Sequence, residues 1–150
     1  MNSYNGFEPK QRMKAFNWLK EQIANGKRQE RPNYCEVCSQ DQGILMYHSE
    51  DYSEPFGDHI GQFGLCYVCH MMIHCRRNKR SWNNYKKYIK TGLRHKPYYK
   101  NDWNRFRADI LLEKKYEWEG QNPLLSEPNI LDKIEKGEYL NYSLGNSGKI

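Results

Sequence analysis

Two Cys-x-x-Cys pairs, Cys35/Cys38 and Cys66/Cys69, offer four thiolates with twenty-seven residues between the pairs. A tight knuckle lets two sulfurs reach one ion, so the four suit a closed tetrahedral Zn2+ site with Zn–S distances of roughly 2.3 Å. A dithiol redox motif is the competing chemistry, but it needs only one such pair. Cys75 is the surplus thiol and reads as a small apolar residue on a helix. Beside the second knuckle stands Cys69-His70-x-x-x-His74. On a helix His70 and His74 lie one turn apart on one face, while Cys69 points about 100° away. One helix would thereby serve two metal sites. His48, at the end of a short apolar stretch, can supply a third imidazole to the second site, although a strand histidine can also simply pack.

The elements that must position these residues can be read from punctuation and periodicity. Helix one is expected to begin at Pro9, carry Met13, Phe16, Leu19 and Ile23 on one face, and stop at Gly26. Arg31-Pro32 brings the chain extended into the first knuckle. Ile44 to His48 alternates as a strand with Ile44, Met46 and His48 on one face. Residues 49 to 63 read as a loop. From Cys66 the pattern turns helical, with a helix from Cys69 running into Arg76-Arg77-Asn78-Lys79-Arg80. Ser81 is expected to cap a helix with Trp82, Tyr85, Tyr88 and Ile89, ended by Gly92. Asp102 would cap another with Trp103, Phe106, Ile110 and Leu111 inward. Ser126 opens a last one using Ile130, Leu131 and Ile134, and residues 141 to 150 read as a tail.

Charge is partitioned along the chain. Residues 1 to 34 carry seven Lys/Arg against three acids. Residues 35 to 75 hold every cysteine, four of the five histidines, six acids and no Lys or Arg. Residues 76 to 116 reverse this with fourteen basic and three acidic residues. An acidic, ligand-rich centre between basic arms suits a divalent-cation site presented to a polyanion, because the centre would repel phosphate without metal. The alternative is a chance arrangement of solvated faces. The net charge of +6 points the same way, to nucleic acid rather than membrane, since an apolar run such as Ile44 to Tyr47 is far too short to span a bilayer. A hydrophobic fraction of 37% is low for a well-filled core, which a metal staple would help to stabilise. The N-terminus has no charged lead followed by an apolar stretch, so a cytoplasmic chain is expected, with disulfides disfavoured.

The stretch Cys35-Glu-Val-Cys38, then Met46-Tyr-His-Ser-Glu-Asp-Tyr-Ser-Glu-Pro55, then Leu65-Cys-Tyr-Val-Cys-His-Met-Met-Ile-His74 resembles the HNH, or ββα-metal, zinc-containing proteins of phages and mobile elements. It is similar in particular to the branch whose core reads His-His-Glu-Asp-Tyr-Ser-x-Pro followed by Leu-Cys-x-x-Cys-His-x-x-x-His. The preceding helix, Gly26 and Arg31-Pro32 fit that branch too, and the resemblance covers residues 9 to 76. It implies a small α+β fold: a treble-clef zinc core of two strands and a helix gripping a catalytic divalent ion, here with a mainly α-helical C-terminal extension. The implied organisation is an N-terminal helix and basic arm over 1–34, an HNH-like core over 35–80, a basic, aromatic helical extension over 81–140, and the tail over 141–150.

The resemblance further implies that Cys35, Cys38, Cys66 and Cys69 hold the structural zinc. His48 and His70 would ligate a catalytic ion, Mg2+ or another divalent, and His74 would bind that metal or the scissile phosphate. In such a site the metal stabilises charge on the phosphate and leaving oxygen while a second imidazole activates water. Ser49 stands where the branch carries that imidazole, and a hydroxyl with a pKa far above neutrality cannot take a proton from water. The asparagine usual before the second knuckle is replaced within Gln62-Phe-Gly-Leu65. Asp58-His59 is another way to supply the base, if the loop folds His59 inward; a solvated loop histidine is the plainer alternative. His95, among Arg94, Lys96 and Pro97, is expected at the surface.

After the metal helix, Arg76, Arg77, Lys79 and Arg80 are placed to clamp a phosphate backbone, with Lys86 and Lys87 beyond them. Aromatics interleave with these bases, and at helical spacing most of them belong to packing. The leading expectation is a metal-dependent HNH-type endonuclease acting on DNA rather than RNA, working in a bacterial or phage-infected cell. The alternatives are a catalytically inactive, zinc-stabilised nucleic-acid-binding module, or an accessory protein that binds a host or viral complex through the helical extension.

Overall fold

Proline at the first turn of a helix loses no hydrogen bond, because first-turn donors have no intrahelical acceptor, and Pro9 opens α1 (Pro9–Ala24). Gly26, at φ +74°, supplies the left-handed turn after its end. The computed structural model describes residues 1–99, 118–121 and 130–137. After α1 come β1 (Leu45–His48), β2 (Phe63–Cys66), α2 (Tyr67–His74), α3 (Lys79–Ile89), β3 (Leu93–His95), β4 (Trp118–Gln121) and α4 (Ile130–Lys136). The strands form two antiparallel pairs, β1 with β2 and β3 with β4. This is a small α+β fold.

The buried face of α1 differs from the expected one. Ala15 and Leu19 are buried with Trp18 and Ile23 beside them, whereas Met13 and Phe16 are 43% and 45% exposed. The inward stripe runs through Gln11, Ala15, Trp18 and Gln22, since α1 packs on Tyr52 and Ile60 of the connection after β1. Gln11 donates to the Tyr52 carbonyl at 2.8 Å. Counting only large apolar residues overlooks Ala15, whose small side chain permits the close approach.

In the β1–β2 pair Leu45 lies opposite Cys66 and His48 opposite Phe63. All four residues of β2 are buried, so the strand shows no polar–apolar alternation and composition does not mark it. Gly64 joins the first knuckle to this sheet. Its N–H donates to Glu36 Oε2 at 2.5 Å and its carbonyl accepts from the Glu36 N–H at 2.8 Å. A Cβ at Gly64 would stand 2.6 Å from Pro32 Cβ, closer than two carbons approach without displacement.

Helix α2 begins at Tyr67, two residues before the expected start, with Cys66 as its N-cap, so the second knuckle spans the end of β2 and the first helical turn. Asn78 caps α3 by accepting the Ser81 N–H at 3.2 Å, and Ser81, expected as the cap, lies buried inside the helix. Trp82, Tyr85 and Ile89 of α3 and Leu131 and Ile134 of α4 share one core with the four cysteines, while Tyr88 is 44% exposed. The helix expected from Asp102, the residues from Ser126 to Asn129 and the tail lie outside the described residues. No helix among the described residues is long and apolar enough to cross a membrane.

His95 corrects a second expectation. It is fully buried, its ring stacked on Tyr85 at 5.7 Å and 2° between planes, and its carbonyl accepts from Gln40 Nε2 at 2.6 Å. Pairing of β3 with β4 draws it inward, and nothing in the polar run around it signals a strand.

Replacing Gly64 with alanine should destabilise the protein by about 1–3 kcal/mol through this overpacking. Urea unfolding followed by tryptophan fluorescence reads the change as a lower midpoint at an unchanged slope.

Candidate metal centres

The four cysteines reach one point from three elements: the first knuckle, the end of β2 and the first turn of α2. Their sulfurs lie within 4.8 Å of one another, all four residues are buried, and none is in a disulfide. Cys38 Sγ and Cys66 Sγ are 3.7 Å apart. That is far from a disulfide bond and close to the edge, roughly 3.8 Å, of a tetrahedron with 2.3 Å metal–sulfur bonds. Without a cation such a cluster is electrostatically frustrated. Burial pushes the Cys66 and Cys69 thiols well up, whereas hydrogen bonds from Cys35, Cys66 and Cys69 pull Cys38 down. A dication removes the conflict by accepting thiolates directly, so the residues present could bind a metal such as zinc.

The second cluster lies on the other face of α2. His48 from β1 and His70 and His74 from α2 bring ligand atoms within 4.8 Å of one another. Their ring centroids are 4.6–5.0 Å apart. His70 Nδ1 faces Met46 Sδ at 2.9 Å, and its Nε2 lies 3.0 Å from His74 Nε2. A proton on Nδ1 satisfies the thioether contact and leaves the Nε2 lone pair in the cluster. Burial lowers both helix histidines, His74 to about 4 and His70 well below its usual value, with the neighbouring imidazoles adding to the effect. Both are therefore neutral near pH 7, the state that ligates metal.

His48 is oriented by Glu50, an acid of the central segment to which the sequence alone assigns no role. Glu50 is fully buried, and its Oε2 lies 2.5 Å from His48 Nε2. The same carboxylate accepts from Arg76 Nη2 at 2.8 Å, from Asn5 Nδ2 at 3.0 Å and from the Tyr4 hydroxyl. Burial would raise the Glu50 carboxyl, but the hydrogen bond from His48, together with Arg76 and Tyr4, outweighs it and holds the group below the usual range. Burial and Glu50 push the Tyr4 hydroxyl up, so it stays protonated and donates. With Nε2–H directed at Glu50, the buried Nδ1 of His48, which has no hydrogen-bond partner, is the nitrogen left to ligate. A carboxylate behind a ligating imidazole fixes tautomer and ring orientation. The sequence signals were its place in the His-Ser-Glu-Asp-Tyr-Ser stretch and the lack of Lys or Arg in residues 35–75, which obliges a buried carboxylate there to draw its cation from outside the segment.

The other anticipated residues are distributed as follows. His59 is not brought to the cluster: its Nε2 lies 2.7 Å from the Ser53 carbonyl, within its own loop. Ser49 is buried, and its hydroxyl accepts the Gly61 N–H at 2.6 Å. Arg76 turns inward to Glu50 and does not stand outside as part of a clamp. Lys86 pairs with Glu135 at 2.6 Å, whereas Arg77, Lys79, Arg80 and Lys87 are exposed.

Comparison of the chain with models of known protein families, with curated proteins and with solved structures finds no match.

Two outcomes follow. Stripping metal with a strong chelator, or replacing Cys69 with alanine, should abolish the cooperative unfolding transition of the core around Trp82, read by near-UV circular dichroism. Glu50→Gln should weaken binding of Co2+ at the histidine cluster roughly 10- to 100-fold, read from its visible absorption bands, while zinc at the cysteines is retained.

Proposed function

We propose that the chain is a metal-dependent endonuclease of the HNH type acting on DNA, with a zinc-bound treble clef as scaffold. The observation that carries this reading is the convergence of His48, His70 and His74 within 4.8 Å. A strand pair running directly into a helix, with ligands from both, fits the ββα-metal arrangement that the sequence motif implies. A divalent ion held there would supply charge stabilisation at a phosphate and its leaving oxygen and would acidify water, and an all-imidazole set suits a transition ion better than Mg2+, which prefers oxygen ligands. The chain's part is to hold neutral imidazoles in fixed orientation, with Glu50 behind His48 and Met46 behind His70. Exposed Arg77, Lys79, Arg80 and Lys87, following α2, supply sequence-independent attraction for phosphates.

A second reading, a zinc-stabilised module that binds nucleic acid without cutting it, is favoured by the missing base. The Ser49 hydroxyl is held by a backbone N–H, His59 is turned to Ser53, and Glu50 is already surrounded by donors. Among the described residues no further histidine joins the cluster.

A plasmid-nicking assay with Mg2+ or Mn2+ separates the two. The nuclease reading expects nicking by the purified protein, reduced at least about 100-fold in His70→Ala with zinc content unchanged. Salt-dependent DNA binding with no cleavage of plasmid or of single-stranded DNA under any divalent ion establishes the second reading instead.

A further inference from the structure

A cavity of about 400 Å³ opens where α1 passes the β1–β2 pair, and all three histidines of the candidate centre line it. Its apolar lining comes from Phe16, Leu19 and Ile23 of α1 and from Leu45 and Met46 of β1. Three cationic side chains, Arg12, Lys20 and Arg31, line it as well, against one carboxylate, Glu30. The volume falls within the roughly 300–1,000 Å³ of small-molecule sites, which are likewise mostly apolar with a few convergent polar groups. It exceeds what a phosphate needs, and a phosphate gains nothing from apolar walls. An apolar ligand without charge gains nothing from the cations. A planar ring joined to a phosphate satisfies both. Phe16 adds a specific feature, since it leaves an aromatic ring 45% exposed at this cavity with Lys20 Nζ 4.8 Å from its centroid. A base stacked there would cover the ring, as bases do on single-strand binders.

We propose that this cavity receives an unstacked nucleobase, so that the substrate of the histidine centre is single-stranded or locally unpaired nucleic acid. The inference rests on the reading that this centre acts on a phosphodiester. A base in a duplex is stacked on both faces and paired at its edge, and it enters a lined pocket only from a single strand or after extrusion.

The test is fluorescence-anisotropy binding, without added Mg2+ or Mn2+, of a short single-stranded DNA, its blunt duplex, and the same strand carrying an abasic site. The intact strand is expected to bind at least about 10-fold tighter than the other two. Phe16→Ala should weaken single-strand binding about 5- to 150-fold and leave duplex binding unchanged. Ile23→Trp, which fills the cavity, should act in the same direction, and zinc content reports that both variants fold. Equal affinity for all three DNAs, or single-strand affinity indifferent to both substitutions, overturns the proposal. The single-strand preference without cleavage keeps the pocket and removes the nuclease. Equal cleavage of single strands and duplexes, unaltered by Phe16→Ala and Ile23→Trp, does the reverse.

Discussion

Four sulfurs crowded within 4.8 Å in a dry core are the constraint from which the rest of this structure follows. Burial pushes the Cys66 and Cys69 thiols well up, and a cation accepting four thiolates would relieve that cost. The cluster draws together segments far apart in the chain. The first knuckle is pinned to β2 through Glu36 and Gly64, and Cys66 is at once the strand partner of Leu45 and the N-cap of α2. With α2 locked to the end of β2, His70 and His74 have one direction in which to point. They meet His48 because β1 is held in register beside them.

The histidine cluster depends on a second, more local balance of charge. Glu50 is a fully buried carboxylate, and a buried carboxylate survives as an ion only if it is paired and hydrogen-bonded. Its partners come from three places: His48 two residues away, Tyr4 and Asn5 ahead of α1, and Arg76 just beyond α2. The network therefore ties the N-terminal segment and the end of α2 to the orientation of one imidazole. It also explains why Arg76 is not available at the surface, although it opens the most basic stretch of the chain.

The parts of the fold that could be read in advance were those with short-range causes. Pro9 and Gly26 bound α1 through backbone geometry, and the two Cys-x-x-Cys pairs and the His-x-x-x-His spacing carry their own stereochemistry. Misreadings arose wherever a distant partner decides. Met13 and Phe16 look like core residues by size, but the core is centred on Ala15 because Tyr52 and Ile60 lie there. His95 looks like a surface residue among polar neighbours, yet Tyr85 and Gln40 hold it inside.

What the sequence by itself determined was the inventory of ligands and their local spacing. Four thiols in two knuckles, and two imidazoles one helical turn apart, follow from residue type and backbone period alone. Tertiary structure decided which other groups reach them. It brought His48 to the helix histidines and left His59 with Ser53. It gave the Ser49 hydroxyl to a backbone amide and set Glu50 behind His48. The physical reason is that spacing constrains neighbours within a helical turn or a knuckle, whereas which groups meet across a loop or between elements depends on how the whole core closes.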